Sequence, residues 1–134
     1  MIVDASVAFK WIATETDSEI ALRVLDMPGL IAPELVLSEV GNAIWKQQRR
    51  GEIKVVPMDV LQLTRMYSRL EPVAPLITRA VDLGVQLDHP IYDCVYYALA
   101  ERENVPLITA DLRFAKVCDA HGIAGRLRLL ETFA

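Results

Sequence analysis

Short apolar runs alternate with longer amphipathic stretches along the whole chain. Short apolar runs are typical of buried strands, and we predict such strands at 1–3, 30–32, around Val73 and at 106–109. The segment 126–130 alternates between apolar and polar residues, which is typical of a half-buried strand, and we predict a fifth strand there. Right-handed crossovers through the intervening helices would place these strands in a parallel sheet of about four to five strands, covered on both faces. We therefore predict an α/β fold in a single domain spanning residues 1–134.

Apolar side chains three and four positions apart predict the helices between these strands. The expected helices are 3–12, 17–27, 34–50, one that begins at Pro57 and runs past Leu70, 75–87, 91–104 and 112–121. Glycines or prolines stand where several of them should stop, at Pro28, Gly29, Gly51 and Gly122. The segment 88–90 is expected to be a loop.

The composition is more apolar than that of an ordinary soluble domain. Hydrophobic residues make up 53% of the chain, and the mean hydropathy is +0.28. No apolar run approaches the roughly 18 residues of a membrane span, so we assign the excess to buried strands and helix faces. Met1 leads directly into a strand pattern rather than a signal peptide, and we expect a cytoplasmic protein.

Charge and cysteine content limit the chemistry. The net charge is −4, so the global field does not favour nucleic acid, although a local basic patch still could. Cys94 and Cys118 lie in apolar helical settings and are expected to be reduced core thiols. His89 and His121 are isolated in sequence, which favours solvated loop residues over a zinc site.

Four isolated acids carry the strongest chemical signal in the chain. Asp4 and Asp111 each follow a strand-like run, Asp93 lies in the first turn of a predicted helix, and Glu39 borders the apolar face of another. Taken singly, each has an ordinary explanation as a helix cap, a residue favoured by the helix dipole, or a solvated side chain. In a parallel sheet, however, all four can converge at the edge where such folds bind ligands.

Convergence of four carboxylates would be costly without compensation. At an effective dielectric constant near 20 and separations of roughly 5–6 Å, each of the six repulsive pairs costs about 3 kcal/mol, and the total exceeds the stability of a typical domain. Some acids must then be protonated, or a cation must lie among them. Mg²⁺ or Mn²⁺ suits oxygen ligands of this kind, and an ion held in this way is typical of phosphodiester hydrolysis.

The motifs around these acids resemble those of the PIN-domain family, specifically its VapC-like toxins. The match covers essentially the whole chain, and the segments that carry it are 2–6, 39–43, 92–93 and 109–111 with Phe114. The resemblance implies a three-layer PIN-like fold and a metal-dependent endoribonuclease whose acidic quartet is Asp4, Glu39, Asp93 and Asp111. It also implies that Asp4, Asp93 and Asp111 hold Mg²⁺ or Mn²⁺, while Glu39 is a further ligand or helps to activate water.

The same resemblance assigns supporting roles to nearby residues. Ser6 and Thr109 would support the site by hydrogen bonds, and Asn42 would orient Glu39 or touch substrate. Their alternatives are ordinary capping hydroxyls and a plain polar helix residue. Relatives with an extra acid after the last aspartate differ from this chain, which has none in 112–115, so we expect one tightly bound ion, with a second arriving only with substrate.

Basic residues are candidates for RNA contact. Lys10, Arg113 and Lys116 follow the strand-ending acids and could reach phosphates beside them. A second basic run at Lys46, Arg49, Arg50 and Lys54 is more typical of a solvated helix face.

Two kinds of protein partner follow from the resemblance: a second copy in a homodimer, and an antitoxin whose peptide lies in an apolar groove. Trp11, Trp45 and Tyr67 are candidates for these surfaces, or alternatively core aromatics.

Other families with an aspartate after the first strand fit less well. A haloacid-dehalogenase-type phosphatase needs a second aspartate where this chain has Ser6. A response-regulator receiver domain needs an acidic pair near the first strand and a downstream lysine, and neither is evident. The remaining alternative is a catalytically inactive PIN-like module that binds protein.

Overall fold

The computed structural model describes residues 1–52 and 58–134, and side chains other than those of residues 58 and 59. The described strands are β1 (Ile2–Val3), β2 (Ile31–Pro33), β3 (Arg69–Glu71), β4 (Leu107–Thr109) and β5 (Leu127–Leu129). The described helices are α1 (Ala5–Ile12), α2 (Ser18–Leu25), α3 (Leu35–Arg49), α4 (Met58–Leu61), α5 (Leu63–Met66), α6 (Ile77–Leu87), α7 (Ile91–Glu103) and α8 (Leu112–Ala120). Short 3-10 turns precede α6 and flank β5.

All five strands are parallel and lie in the order β3-β2-β1-β4-β5. The sheet therefore grows in one direction from β1 to β3 and in the other from β1 through β4 to β5. Right-handed crossovers put the helices that follow β1 and β2 on one face and those that follow β3 and β4 on the other. Accordingly α1 packs against α2 and α3, whereas α6 packs against α7. The predicted three-layer α/β fold is confirmed.

The core is built from the central strands and the helix faces that cover them. Both residues of β1 and all of β4 are buried, together with large side chains such as Phe114 and Tyr96. Cys94 and Cys118 are buried free thiols, and burial raises their pKa values to about 11 and about 12. The prediction of core thiols is confirmed.

The three candidate aromatics divide between core and surface. Trp11 and Tyr67 are buried and pack on one another with ring centroids 5.3 Å apart, so both are core residues. Trp45 is exposed on α3.

The third strand lies earlier than the sequence pattern indicated. We expected a helix running past Leu70 and a strand near Val73, but α5 ends at Met66 and β3 spans Arg69–Glu71. Leu70 pairs with Ala32 of β2, and the Ser68 N–H donates to the Leu30 carbonyl 2.8 Å away. These bonds to β2 determine the strand position, and the local apolar pattern could not show them. The predicted helix start at Pro57 lies outside the described residues.

The direction of sheet growth reverses between β1 and β4, which creates the crevice where open α/β sheets bind ligands. At the carboxyl ends of β1 and β4 the chain turns directly into a helix, at Asp4 and at Asp111 respectively. No helix in the described parts of the chain is both long and apolar enough to cross a membrane.

Candidate active site

Asp4 lies at the centre of the crevice, at the end of β1. Its Oδ1 accepts the backbone N–H of Ser6 at 3.0 Å and that of Val7 at 3.3 Å, which caps helix α1. It also accepts a short hydrogen bond from the Ser6 hydroxyl. The residue is 4% exposed, so Asp4 is a buried acid held by several donors.

Two hydroxyls connect the ends of β1 and β4. The Ala110 N–H donates to Ser6 Oγ over 2.9 Å, and Ser6 Oγ lies 3.4 Å from Thr109 Oγ1. Thr109 Oγ1 in turn accepts the Asp111 N–H at 3.0 Å. The structure thus places both predicted supporting residues between Asp4 and Asp111.

Asp111 caps α8 as Asp4 caps α1. Its Oδ1 accepts the N–H groups of Arg113 at 2.9 Å and Phe114 at 3.1 Å. Unlike Asp4, it is only half-buried. Both backbone bonds end on Oδ1, so this cap does not use Oδ2.

Asp93 enters from the first turn of α7 and is paired with a histidine. His89 Nε2 lies 2.7 Å from Asp93 Oδ2, and the His89 side chain is only 8% exposed. The expectation that His89 is a solvated loop residue was therefore wrong. The turn before α7 folds the imidazole back against Phe114, with ring centroids 5.1 Å apart.

Glu39 reaches the site from α3. Its Oε1 is buried without a hydrogen-bond partner among the described residues, and so is the hydroxyl of Tyr96 from α7. The two groups do not meet in hydrogen-bond geometry, but the hydroxyl is near enough to lower the pKa of the Glu39 carboxyl. The two groups are close enough to interact electrostatically, yet neither atom makes a hydrogen bond among the described residues, and buried polar atoms are rarely left in this state.

The pKa values of Asp4, Glu39 and Asp93 are all raised, first of all by burial. Burial raises the pKa of Asp4 to about 7, with a further rise from the Asp93 charge, against hydrogen bonds from Ser6 and Thr109 that lower it. Burial and then the Asp93 charge raise the pKa of Glu39. Burial also raises the pKa of Asp93, as does the charge of Asp111, whereas the His89 hydrogen bond lowers it. Asp93 therefore interacts with each of the other three acids, and the structure brings the predicted quartet together around it.

The donor chemistry of this cluster fits a divalent cation. Its carboxylates repel one another, and the orphaned Glu39 Oε1 is the oxygen type that Mg²⁺ and Mn²⁺ prefer. Within residues 1–52 and 58–134, no group of three acidic, imidazole or thiol side chains is arranged so that it could hold a metal ion. Closure around an ion would therefore require movement of these side chains.

A cleft of about 680 Å³ opens beside the acids, between α1 and α3. Ser6, Glu39 and Asn42 line it, together with Lys46 and with Tyr92, which is 56% exposed. The basic run that the sequence placed on a solvated face thus contributes Lys46 to the wall beside Glu39.

The three predicted phosphate contacts lie elsewhere. Lys10 is paired with Asp17 at 2.9 Å and Glu15 at 3.6 Å, and its side chain is only 12% exposed. Arg113 and Lys116 are exposed on α8, beyond Asp111.

The sequence analysis assigned no role to His89, Tyr92 or Tyr96, and it favoured a solvated helix face for Lys46 over RNA contact. One signal was available for two of these residues, because His89 and Tyr96 lie four positions before and three after Asp93, a spacing of about one helical turn on either side. Lys46 gave no such signal, since its place depends on the distance between α1 and α3.

Comparison with known proteins adds independent information. The PIN domain family profile matches residues 1–120. Ribonuclease VapC1 of Mycobacterium tuberculosis is 32% identical over 137 residues, covering 97% of this chain and 97% of that protein. Ribonuclease VapC3 of Pyrobaculum aerophilum is 27% identical over 121 residues, covering 87% of this chain and 92% of that protein.

Two solved structures share the fold. The crystal structure of PAE2754 from Pyrobaculum aerophilum aligns with a TM-score of 0.71 at 21% identity, covering 98% of this chain and 83% of that one. A toxin–antitoxin complex from Klebsiella pneumoniae aligns with a TM-score of 0.67 at 12% identity, covering 96% of both chains.

Proposed function

The chain belongs to the PIN-domain family, and on that basis we propose that it is an endoribonuclease, the toxin of a toxin–antitoxin pair, that hydrolyses RNA phosphodiester bonds. The observation that carries the proposal is the convergence of Asp4, Glu39, Asp93 and Asp111 at the switch point between β1 and β4. Two relatives named as ribonucleases align with 87% and 97% of this chain, which supports the same reaction class.

Asp4, Asp93 and Asp111 would hold the divalent ion, Mg²⁺ or Mn²⁺. When bound, such an ion lowers the pKa of water and offsets the negative charge that develops on the phosphate. Ser6 and Thr109 fix the orientation of the Asp4 carboxylate between the two strand ends.

Glu39 is the proposed proton acceptor for the attacking water. Its Oε1 has no competing hydrogen bond among the described side chains, and its pKa is raised, mainly by burial. A carboxylate with a raised pKa is a better base near neutral pH than an ordinary glutamate. Asn42 lines the same cleft and would contact the substrate there.

The cleft between α1 and α3 would bind the RNA strand. Lys46 would contact a phosphate, and the exposed ring of Tyr92 would stack on a base next to the acids. A base can stack in this way only when it is unpaired, so we propose single-stranded or loop RNA as the substrate. Arg113 and Lys116 would contact phosphates farther along the strand, and Lys10 would contribute less because it is already paired.

An antitoxin protein and a second copy of this chain are the proposed partners. The support for the antitoxin is the family itself and the shared fold with a chain of a toxin–antitoxin complex. Trp45 is the candidate aromatic that remains available for such a surface, because Trp11 and Tyr67 are buried.

Cleavage of a mixed RNA pool tests the proposal. Purified protein is incubated with EDTA, Mg²⁺ or Mn²⁺, beside the Asp93→Asn variant and an Asp119→Asn control, whose substitution is on the exposed side of α8. We expect cutting only with a divalent ion, lost in Asp93→Asn and kept in the control. Absence of cutting by folded, antitoxin-free protein on all RNAs would instead favour an inactive PIN-like binding module.

The cleft assignment has its own test in the two lysines. Lys46→Ala should raise KM and reduce the salt dependence of RNA binding by about 0.7 in log–log slope, the value for one phosphate contact to a single strand. Lys10→Ala should change this slope much less. Equal slopes in wild type and Lys46→Ala, measured by fluorescence anisotropy across salt concentrations, would exclude Lys46 from the RNA path.

A further inference from the structure

The turn between α6 and α7 fixes the backbone of His89. Asp88 adopts a left-handed conformation with φ 50°, and the His89 N–H donates to the Gly84 carbonyl at 3.1 Å. A Cβ at Gly84 would lie 3.1 Å from the His89 carbonyl oxygen and 3.0 Å from Ile91 Cγ2, so a larger residue at this position would require the turn to shift by a few tenths of an ångström. Pro90 restricts the turn further.

The side chain of His89 is held as firmly as its backbone. Nε2 lies 2.7 Å from Asp93 Oδ2, and the ring packs on Phe114, which is fully buried. Phe114 also donates its N–H to Asp111 Oδ1. One imidazole therefore links the acid at the start of α7 to the residue that helps to hold the acid at the start of α8.

We propose that His89 is a positioning residue for Asp93, an inference that rests on the proposed function of the quartet. An ionised carboxylate only accepts hydrogen bonds, so Nε2 carries the hydrogen, whether or not the ring is charged. The bond fixes Oδ2 and so sets the direction of Oδ1. Because the Asp93 side chain is still 25% exposed, it could otherwise turn away from the other acids towards water.

His121 shows what a histidine without this role looks like in the same chain. It is exposed at the end of α8, and its Nδ1 lies 2.9 Å from the carbonyl of Val117, four residues earlier. That contact is local to one helix end. The His89 contact instead links α7 to α8 and ends on a site carboxylate, and His121 is therefore a suitable control.

The test uses two substitutions at His89 and measures metal binding without RNA. His89→Phe keeps a ring against Phe114 but removes the donor, whereas His89→Gln keeps an N–H near the same place. We expect His89→Phe to weaken Mn²⁺ binding about 10-fold to 100-fold by isothermal titration and to lower kcat while leaving KM nearly unchanged. His89→Gln should recover most of both, and His121→Gln should match wild type. Thermal melting in EDTA checks that each variant is folded.

The hydrogen bond itself is observable in the metal-free protein. The imidazole Nε2–H of His89 should give a slowly exchanging proton resonance by NMR that disappears in Asp93→Ala. Wild-type Mn²⁺ affinity and kcat in folded His89→Phe would overturn the inference, and so would absence of this resonance. Failure of wild type itself to bind Mn²⁺ or cut RNA, with the resonance present, would count against the proposed function instead.

Discussion

Asp4 and Asp111 are the same local device in two different places. Each ends one of two neighbouring parallel strands, and each caps the next helix through Oδ1 and two backbone N–H groups. Asp4, however, is buried and takes an additional bond from the Ser6 hydroxyl, whereas Asp111 is half-buried and its cap uses backbone donors alone.

Because Asp4 and Asp111 cap their helices in the same way but differ in burial, capping does not explain why the acid at position 4 is buried. A cap works as well at the rim of the site as at its centre, and asparagine or serine provides it without a charge. Burial raises the pKa of Asp4 to about 7, so its ionised form destabilises the metal-free fold. A buried acid that accepts several directed hydrogen bonds and has a strongly raised pKa is typical of a functional site, and we interpret Asp4 in that way.

The largest predicted effect is on the pH dependence of stability. The folded state binds the Asp4 proton more tightly than the unfolded state, so the stabilising contribution of this proton is full below about pH 4 and is lost as pH rises through about 7. Asp4→Asn should abolish this loss, worth up to about 4 kcal/mol, in EDTA. Urea unfolding from pH 4 to 8 measures it, with Asp111→Asn as the matched variant. Equal slopes in wild type and Asp4→Asn would show that the Asp4 charge is not buried in solution.

RNA cleavage should fall in both Asp4→Asn and Asp111→Asn, so activity should not distinguish the two acids as the pH dependence of stability does. We expect RNA cleavage to drop at least about 100-fold in each, or about 2.7 kcal/mol of activation free energy, because each loses a proposed ligand charge. The asparagine oxygen can still cap the helix, so the fold should persist by circular dichroism. Full activity in Asp4→Asn would remove Asp4 from the quartet.

Ser6→Ala should lower the free energy of unfolding, by less than the two effects above, because the Asp4 cap includes a bond from Ser6 and the Asp111 cap does not. It removes a donor to Asp4 and the acceptor of the Ala110 N–H, which leaves buried polar groups unsatisfied at a cost of about 1–3 kcal/mol. Ser68→Ala, an exposed serine, is the control. A loss of unfolding free energy no larger than in the control would mean that Ser6 does not tie the strand ends together.

The smallest effect concerns the cap of α8 alone. Asp111→Ala should destabilise the protein by about 1 kcal/mol relative to Asp111→Asn, because alanine provides no side-chain oxygen for the Arg113 and Phe114 N–H groups. Differential scanning calorimetry in EDTA would measure the difference. No difference between the two variants would show that backbone bonds alone stabilise this end of α8.

Local sequence patterns were sufficient where neighbouring residues determine the structure. The run before Asp4 and the run before Asp111 are buried strands, and the stripe that contains Val36 and Val40 is the inward face of α3. Because parallel strands share one carboxyl edge, the alternation of strands and helices was sufficient to predict that the four acids could meet there. Their individual roles in catalysis stay predictions.

The features that local sequence patterns did not predict are determined by contacts between distant parts of the chain. Residues 69–71 form too short a strand for alternation to be visible, and pairing with β2 places it. His89 reads as a loop residue until α8 brings Phe114 against its ring. Lys10 is removed from the cleft by a pairing with Asp17 that depends on how α1 meets α2.

The link between the strand ends has a consequence for the order of events during synthesis. Ser6 and Thr109 approach one another across 103 residues of chain. At about 5–20 residues per second, a ribosome needs roughly 5–20 s to make that interval. Until β4 has emerged, β1 has no neighbour on that side and Asp4 has no Thr109, so the acid cluster is absent from nascent chains that have not reached this stage. The fold thereby delays assembly of the candidate site until β4 has been translated.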